Sequence, residues 1–145
     1  MTISINFDYS YYETDYVFIS NMRRFREYPA EKRKKCIITA NIISDDVYLQ
    51  TEYKDLLNDV EIVRDNAGLM AIKFLIAYGA SKIILAGIDG YSHDMTSNYV
   101  NNSMSLITEV SRLDAMNKGM SEVLNNFKKE IDISFITTQK FIHLN

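Results

Sequence analysis

Short apolar runs of strand length alternate along the chain with segments that have helical spacing. Runs rich in β-branched residues are typical of strands, and a run that is apolar at every position is typical of a strand covered on both faces. The run IILA at residues 83–86 is of this second kind. Together these runs predict strands at residues 3–7, 16–20, 36–40, 60–63, 83–86 and 133–137.

Two segments between the runs predict helices. Residues 68–79 are apolar nearly all round, with Asn66 before them as an N-cap and Gly79 at their end. A longer segment, about residues 104–129, has apolar residues three and four positions apart. Strand, helix, strand alternation favours right-handed crossovers and a mostly parallel sheet. The predicted fold class is therefore α/β, a Rossmann-like three-layer sandwich that forms a single domain over residues 1–145.

Composition and charge exclude several functional classes. The chain has 145 residues, a hydrophobic content of 47% and a formal net charge of −3, which provides no overall positive field for nucleic acid or an anionic membrane. Its single cysteine, Cys36, has no disulfide partner. The apolar stretches are shorter than the roughly 20 residues that span a bilayer. We expect a cytoplasmic protein that binds neither nucleic acid nor membrane.

Polar residues follow the predicted strands. Ligands of open parallel sheets bind beyond the carboxyl ends of the strands, where such residues would share one edge. Amide groups at that edge can bind a base, a ribose or a phosphate. The alternative is that each side chain satisfies its own backbone, as Asn and Asp often do at helix N-caps. The predicted ligand-binding residues are Asn21, Arg23, Asn41, Asn66, Gly68, Asp89 and Tyr91.

One stretch resembles known families. Residues 65–94, DNAGLMAIKFLIAYGASKIILAGIDGYSHD, resemble a segment of bacterial sialyltransferases, which use CMP-sugars, and of archaeal 6-hydroxymethylpterin diphosphokinase-like proteins. That segment reads as a polar turn, Gly, an apolar helix, Gly and then xxIxLxGxDxY. Upstream, DYVFISN at 15–21 and CIITAN at 36–41 resemble the two sialyltransferase strands that each end in an Asn contacting the cytidine nucleotide.

The resemblance implies a role for each matched residue. Asn21 and Asn41 would lie near the nucleotide, and residues 66–68 would form the turn that faces the phosphates. Asp89 and Tyr91 would lie beside the ribose and phosphates. The ligand implied is a nucleotide or nucleotide-sugar.

The start of the chain departs from these families. They begin with a strand followed by a Gly-rich phosphate loop, whereas residues 3–7 here run into DYSYYETD, which contains no Gly. Without that loop, the backbone amides that would hold a diphosphate are missing. The chain is thus expected to lack the family's first strand and phosphate loop, and one interpretation is that it is a fragment. Related Rossmann-like modules resemble tails of bacterial aldolases similar to 4-hydroxy-2-oxovalerate aldolase, which would lie upstream of residue 1.

The chain has two histidines, so acid/base chemistry has few candidates. His93, flanked by Asp89 and Asp94, could be held in one tautomer as a base, although a loop histidine is commonly just solvated. The sialyltransferases carry their general-base His well after the GxDxY turn, where this chain has only His143. Asp89, His93 and Asp94 are also of metal-ligand type, but acidic turns greatly outnumber metal sites. We predict no metal and no cofactor.

A basic segment covers residues 22–35. Arg23 and Arg24 would lie in a first helical turn after Asn21 and could reach a phosphate at the strand edge. The run Lys32 to Lys35 is interpreted as a solvated helix face. Tyrosines crowded into one loop can stack on a base or pack at an interface of a homo-oligomer, and packing is favoured for Tyr9, Tyr11 and Tyr12.

Two functions follow from these patterns. The first is an accessory or C-terminal Rossmann-like module of a larger carbohydrate- or keto-acid-processing enzyme, such as a 4-hydroxy-2-oxovalerate aldolase-like lyase. The second is a nucleotide or nucleotide-sugar binding domain with glycosyl- or phosphotransferase activity. In that case Arg23 and Tyr91 would meet the oxyanions, with His93 as the base. The missing phosphate loop favours the accessory module.

Overall fold

The structure, a computed structural model, describes residues 1–8, 11–98 and 108–144. The chain divides into two compact units. The first unit consists of residues 1–58 and 65–75, and the second of residues 59–64 and 76–145. Each unit contains its own parallel sheet.

The first unit is built on a four-stranded sheet. Neighbouring strands in the sheet are also neighbours in sequence, and all three pairings are parallel, with Ile3 opposite Tyr16, Val17 opposite Cys36 and Ile37 opposite Leu49. The parallel pairings confirm the α/β class. The strands, in sheet order, are β1 (Ile3–Ile5), β2 (Tyr16–Ile19), β3 (Cys36–Thr39) and β4 (Leu49–Thr51).

Helices cover both faces of this sheet. Successive side chains of a strand point to opposite faces, so the unbroken apolar runs of β2 and β3 bury residues on each side. On one face, Val17 and Ile19 pack with Phe25 of helix α1 (Met22–Glu27). On the other, Phe18 packs with residues of helix α2 (Ala67–Ala77), and its ring centroid lies 6.0 Å from that of Phe74.

Local signals define the ends of α2 as the sequence predicts. The Asn66 side chain accepts a hydrogen bond from the backbone N–H of Leu69 at 3.1 Å, which caps the helix start. At the other end, Gly79 has φ of +82° and donates its N–H to the carbonyl of Ile76. A left-handed conformation there suits glycine, which has no Cβ to clash with the carbonyl. The predicted N-cap and glycine terminator of this helix are confirmed.

The second unit pairs two parallel strands, β5 (Lys82–Leu85) and β6 (Asp132–Phe135), and α3 (Leu113–Glu130) contacts β6. Helix α3 is amphipathic, with an apolar stripe that is buried. Gly119 within it allows a close approach, because a Cβ there would lie 2.8 Å from Cγ2 of Ile62. The buried apolar residues of α3 are Leu113, Met120, Val123, Leu124 and Phe127.

Several predicted elements are wrong in detail. Residues 60–63, predicted as a strand, contain a 3₁₀ helix at Glu61–Val63, because Val63 N–H bonds locally to the Val60 carbonyl. Four residues of mixed apolar character do not distinguish a strand from a turn of helix. Strand β4 was not predicted, since LQT is short and only Leu49 among its three residues is apolar.

The long helix also starts later than predicted. A 3₁₀ turn at Val110–Arg112 precedes α3, which begins at Leu113. The predicted start at residues 104–107 lies outside the described residues. In β5, Ile83 and Leu85 are buried but Ile84 is 58% exposed, so the expectation that both faces of this strand are covered is wrong. Across the described ranges, no helix has the length and apolar character that a membrane crossing requires.

Candidate functional site

Asn21, at the end of β2, caps helix α1. Its side-chain Oδ1 lies 2.9 Å from the backbone N of Arg23 and 3.4 Å from that of Arg24, and it accepts from both. Such a cap satisfies N–H groups that have no partner within the helix, and contributes about 1 kcal/mol. The Asn21 side-chain oxygen, which would accept a hydrogen bond from a ligand, is therefore already bonded to backbone N–H groups of α1.

Asn41, just beyond β3, joins the ends of two neighbouring strands. Its Nδ2 donates to the carbonyl of Ser20 at 3.0 Å, and its Oδ1 accepts from the Thr39 hydroxyl. Thr39 is fully buried at the end of β3, and Ser20 ends the buried run of β2. The amide thus stabilises the carboxyl edge of the first unit's sheet.

The arginines after Asn21 are also engaged within their own helix. Arg23 Nε lies 3.8 Å from Glu27 Oε1, and Arg24 Nη1 lies 3.1 Å from Glu27 Oε2. Pairs of this kind, three and four residues apart on a helix surface, contribute a few tenths of a kcal/mol. Gly68 is the second residue of α2 and is half-buried.

The basic run 32–35 was predicted to be a solvated helix face, but several of its side chains make specific contacts. Lys35 forms an ion pair with Asp8, and Lys32 Nζ lies 3.5 Å from the same carboxylate, whose side chain is only 8% exposed. Arg33 stacks on the ring of Phe25, 4.5 Å from its centroid. Part of this charged run therefore makes contacts that stabilise the first unit.

The Asp8 carboxylate is tuned by its cationic neighbours. Burial raises the pKa of Asp8, but hydrogen bonding and Coulomb attraction to Lys35, with a smaller effect of Lys32, outweigh burial and hold the pKa below its ordinary value. The carboxylate is consequently ionised at neutral pH. It connects the segment after β1 to the residues that lead into β3.

The loop after β5 is held by the segment after β6. The Thr137 hydroxyl donates to Asp89 Oδ1 at 2.8 Å and accepts from the backbone N–H of Gly87 at 2.9 Å. The backbone carbonyl of Asp89 accepts from Phe141 N–H at 2.9 Å. Asp89 is therefore fixed at both its side chain and its backbone.

A residue of α3 fixes the next part of the same loop. The Asn117 side chain accepts from the backbone N–H of Tyr91 at 2.7 Å and donates to the Tyr91 carbonyl at 2.9 Å. Gly90 fits beneath it at φ of +88°, where a Cβ would lie 2.8 Å from Asn117 Oδ1. The turn GIDGY is thus a rigid feature of the second unit.

His93 binds a carboxylate that the sequence did not suggest. Its Nε2 lies 2.8 Å from Oδ1 of Asp114, on α3. Both side chains are exposed, at 58% and 81%. Asp94 instead caps the 3₁₀ helix Met95–Ser97, and hydrogen bonds from the Thr96 hydroxyl and backbone N–H lower the pKa of its carboxyl. Hence Asp114, twenty-one residues away in sequence, is the partner that orients His93.

Close to this pair, a shallow groove of about 470 Å³ runs along α3. Polar residues one helical turn apart form one wall, and the segment that follows β6 forms the other. His143, the second histidine of the chain, lines this second wall. We call this feature the α3 groove; α3 contributes Asp114, Asn117, Lys118 and Ser121, and the C-terminal segment contributes Lys140, Phe141 and His143.

The predicted site residues are divided between the two units. Asn21, Arg23, Asn41, Asn66 and Gly68 belong to the first, and Asp89, Tyr91 and His93 belong to the second. That all these residues lie at one edge of a common sheet stays a prediction. Sequence reasoning missed Asn117, Lys118 and Thr137, which had no signal because polar residues in a helix or after a strand are ordinary.

The first unit also contains a buried thiol and exposed tyrosines. Cys36 is fully buried in β3, and burial raises the pKa of its thiol to about 11. Within the described ranges, no three His, Cys, Asp or Glu residues are grouped so that they could hold a metal ion. Tyr11 and Tyr12 are strongly exposed, while Tyr9 lies outside the described residues.

No family model, curated protein or solved structure matches this chain. The resemblance of residues 15–94 to sialyltransferases and to diphosphokinase-like proteins therefore stays a prediction from those residues.

Proposed function

We propose that this chain is a Rossmann-like accessory module of a larger carbohydrate- or keto-acid-processing enzyme, of the 4-hydroxy-2-oxovalerate aldolase-like lyase class, and that it is not catalytic by itself. One observation carries the proposal. The side-chain oxygen of Asn21 and both ends of the Asn41 amide, which would have to read a nucleotide, are bound to the protein's own backbone and to Thr39. A ligand would have to displace contacts that stabilise the sheet edge.

The segment after β1 supports the same function. Asn6 has φ of +66° and donates its N–H to the carbonyl of Phe18, and Asp8 is occupied by Lys35. A phosphate loop instead presents several free backbone N–H groups to its anion. An ionised carboxylate in this position would repel a diphosphate.

The first test is enzymatic. The purified chain is incubated with a CMP-sugar, and release of CMP is followed by chromatography with and without a sugar acceptor. We expect no release above the protein-free blank. Turnover that disappears in a His93→Ala variant would refute the non-catalytic assignment.

The second test concerns the larger enzyme. The coding sequence upstream of Met1 is read, and any aldolase-like lyase found there is produced with and without this module. We expect the lyase to lose assembly or activity when the module is removed. The proposal would be contradicted if the coding sequence of this chain is not joined to that of a lyase and if removing the module changes neither the assembly nor the activity of the lyase.

A nucleotide-binding function is the second candidate, favoured by the rigid turn after β5. Asp89 and Tyr91 are held by Thr137 and Asn117, so a ligand would meet a site that is already ordered. Such preorganisation lowers the entropic cost of binding. In this candidate, His93 is oriented by Asp114 as a base.

Thermal unfolding with CMP separates the two candidates. Ligand at about 100 times its dissociation constant should stabilise a binding protein by about 2.7 kcal/mol. If the turn is the site, Asp89→Asn and Tyr91→Phe should abolish the shift while a Lys118→Gln/Lys140→Gln double variant keeps it. A flat response, or a shift that depends on the two lysines and not on Asp89 or Tyr91, supports the accessory module.

A further inference from the structure

The α3 groove is lined by two lysines that form no ion pair with a described residue. In the described part of the chain, Lys118 and Lys140 take part in none of the ion pairs, whereas Lys32, Lys35 and Lys82 all face carboxylates. The protein as a whole has a net charge of −3. The groove lining carries two lysines and one carboxylate, Asp114, a net charge of +1 with His143 neutral, against −3 for the whole chain.

Asp114, one helical turn before Lys118 on α3, is in contact with His93. Asp114 and Lys118 are four residues apart on α3, the spacing at which an acid and a lysine pair on a helix surface. The carboxylate of Asp114 is instead 2.8 Å from His93 Nε2. Lys118 lines the groove without forming that pair.

The two walls of the groove are joined by hydrogen bonds. His143 donates its backbone N–H to the Ser121 hydroxyl at 3.0 Å, and this hydroxyl donates to the carbonyl of Asn117 at 2.8 Å. Between Phe141 and His143, the side chain of Ile142 is 4% exposed and anchors the segment. These contacts hold together the two backbone segments that carry the lysines.

The chemistry of the lining indicates the ligand. Lysine is a common binder of phosphate as a compact point charge, and a phosphate monoester carries close to two negative charges at neutral pH. Phe141, 37% exposed, offers an apolar surface, and Asp114 offers an acceptor for a hydroxyl group. A volume of about 470 Å³ suits a small metabolite.

We propose that the α3 groove binds a small phosphate monoester with hydroxyl groups, of the sugar-phosphate class. Lys118 and Lys140 contact the phosphate, and Asp114 accepts from a hydroxyl while remaining in contact with His93. None of the residues predicted to bind a nucleotide lines this groove. The groove shares Asp114 with the second candidate function, in which that carboxylate orients His93, but its two lysines belong to neither function proposed above.

The test is a titration of the ¹⁵N-labelled protein with inorganic phosphate and then with glucose 6-phosphate, at constant ionic strength. We expect saturable shifts of the backbone amides of Lys118, Lys140 and His143. Glucose 6-phosphate should bind more tightly than phosphate, because only it can use Asp114 and Phe141. Equal affinity for the two would refute the sugar contacts.

A charge-matched pair of variants decides the role of the lysines. Lys118→Gln/Lys140→Gln removes both cationic contacts to the phosphate and should weaken binding about tenfold. Lys34→Gln/Lys54→Gln removes the same charge from exposed positions of the first unit and should leave binding unchanged. Equal weakening in both variants, or no saturable shift with either probe, would overturn the proposal. A nucleotide response lost only on changing Asp89 or Tyr91 would belong to the turn instead.

Discussion

The side-chain amide of Asn117 hydrogen-bonds both backbone groups of Tyr91, accepting from its N–H at 2.7 Å and donating to its carbonyl at 2.9 Å. Asn117 is 7% exposed, so its loss would leave these groups short of partners away from solvent. We expect Asn117→Ala to lower the free energy of unfolding by about 2 kcal/mol. Urea denaturation measures this change, and amide hydrogen exchange at Tyr91 should accelerate.

A control for Asn117 lies on the same helix. Asn126 is exposed and accepts only from the Lys129 ammonium among the contacts described. Asn126→Ala should change stability by less than about 0.5 kcal/mol. Similar losses in the two variants would show that helix propensity, and not the bond to Tyr91, accounts for the effect.

Two glycines with positive φ should respond differently to the same substitution. At Gly90, with φ of +88°, a Cβ would lie 2.8 Å from both Asn117 Oδ1 and Phe141 Cβ, whereas at Gly87, with φ of +72°, no atom lies within 4 Å. Gly90→Ala combines backbone strain with overpacking and should destabilise by about 3 kcal/mol, against about 1 kcal/mol for Gly87→Ala. Chemical denaturation compares them, and equal losses would contradict the close packing at Gly90.

The Asp8–Lys35 ion pair should make stability depend on pH in the acid range. Attraction to Lys35 and Lys32 outweighs burial and lowers the pKa of Asp8 in the folded state. Stabilisation is therefore complete above the ordinary aspartate pKa, about 3.9, and is lost as pH falls through the lower pKa of the folded state. Asp8→Asn should cost about 1–2 kcal/mol at neutral pH.

Urea denaturation of the wild type and of Asp8→Asn over a pH series measures this dependence. The difference between them should be constant above about pH 5 and shrink at lower pH. Asp45→Asn, at an exposed position, is the control and should follow the wild type within about 0.5 kcal/mol. A difference between wild type and Asp8→Asn that persists at the lowest pH would argue for packing in place of charge.

Cys36 should be chemically inert in the folded protein. Its side chain is fully buried, and burial raises the pKa of the thiol to about 11, so little thiolate is present at pH 8. Alkylation by iodoacetamide should be more than about 100-fold slower than in the urea-unfolded chain. A native rate within about tenfold of the unfolded rate would show that β3 opens readily.

Elements whose signals lie within a few residues of one another in the sequence could be predicted. The apolar runs of β2 and β3 are unbroken because helices cover both faces of their sheet. Asn66 and Gly79 mark the ends of α2 because N-caps and left-handed glycines act within a few residues. The 3₁₀ helix at Glu61–Val63 was mistaken for a strand, since a short apolar run has no distinguishing period.

The sequence by itself determined the parallel α/β class, the positions of the apolar strands and the caps of α2, because these follow from local backbone and side-chain preferences. Tertiary structure alone decided that His93 faces Asp114, that Asn117 holds Tyr91, and that Lys118 and Lys140 line one groove. These partners lie about twenty residues apart or more, and their types are ordinary for a polar surface. Only the packing of α3 and the C-terminal segment brings them together.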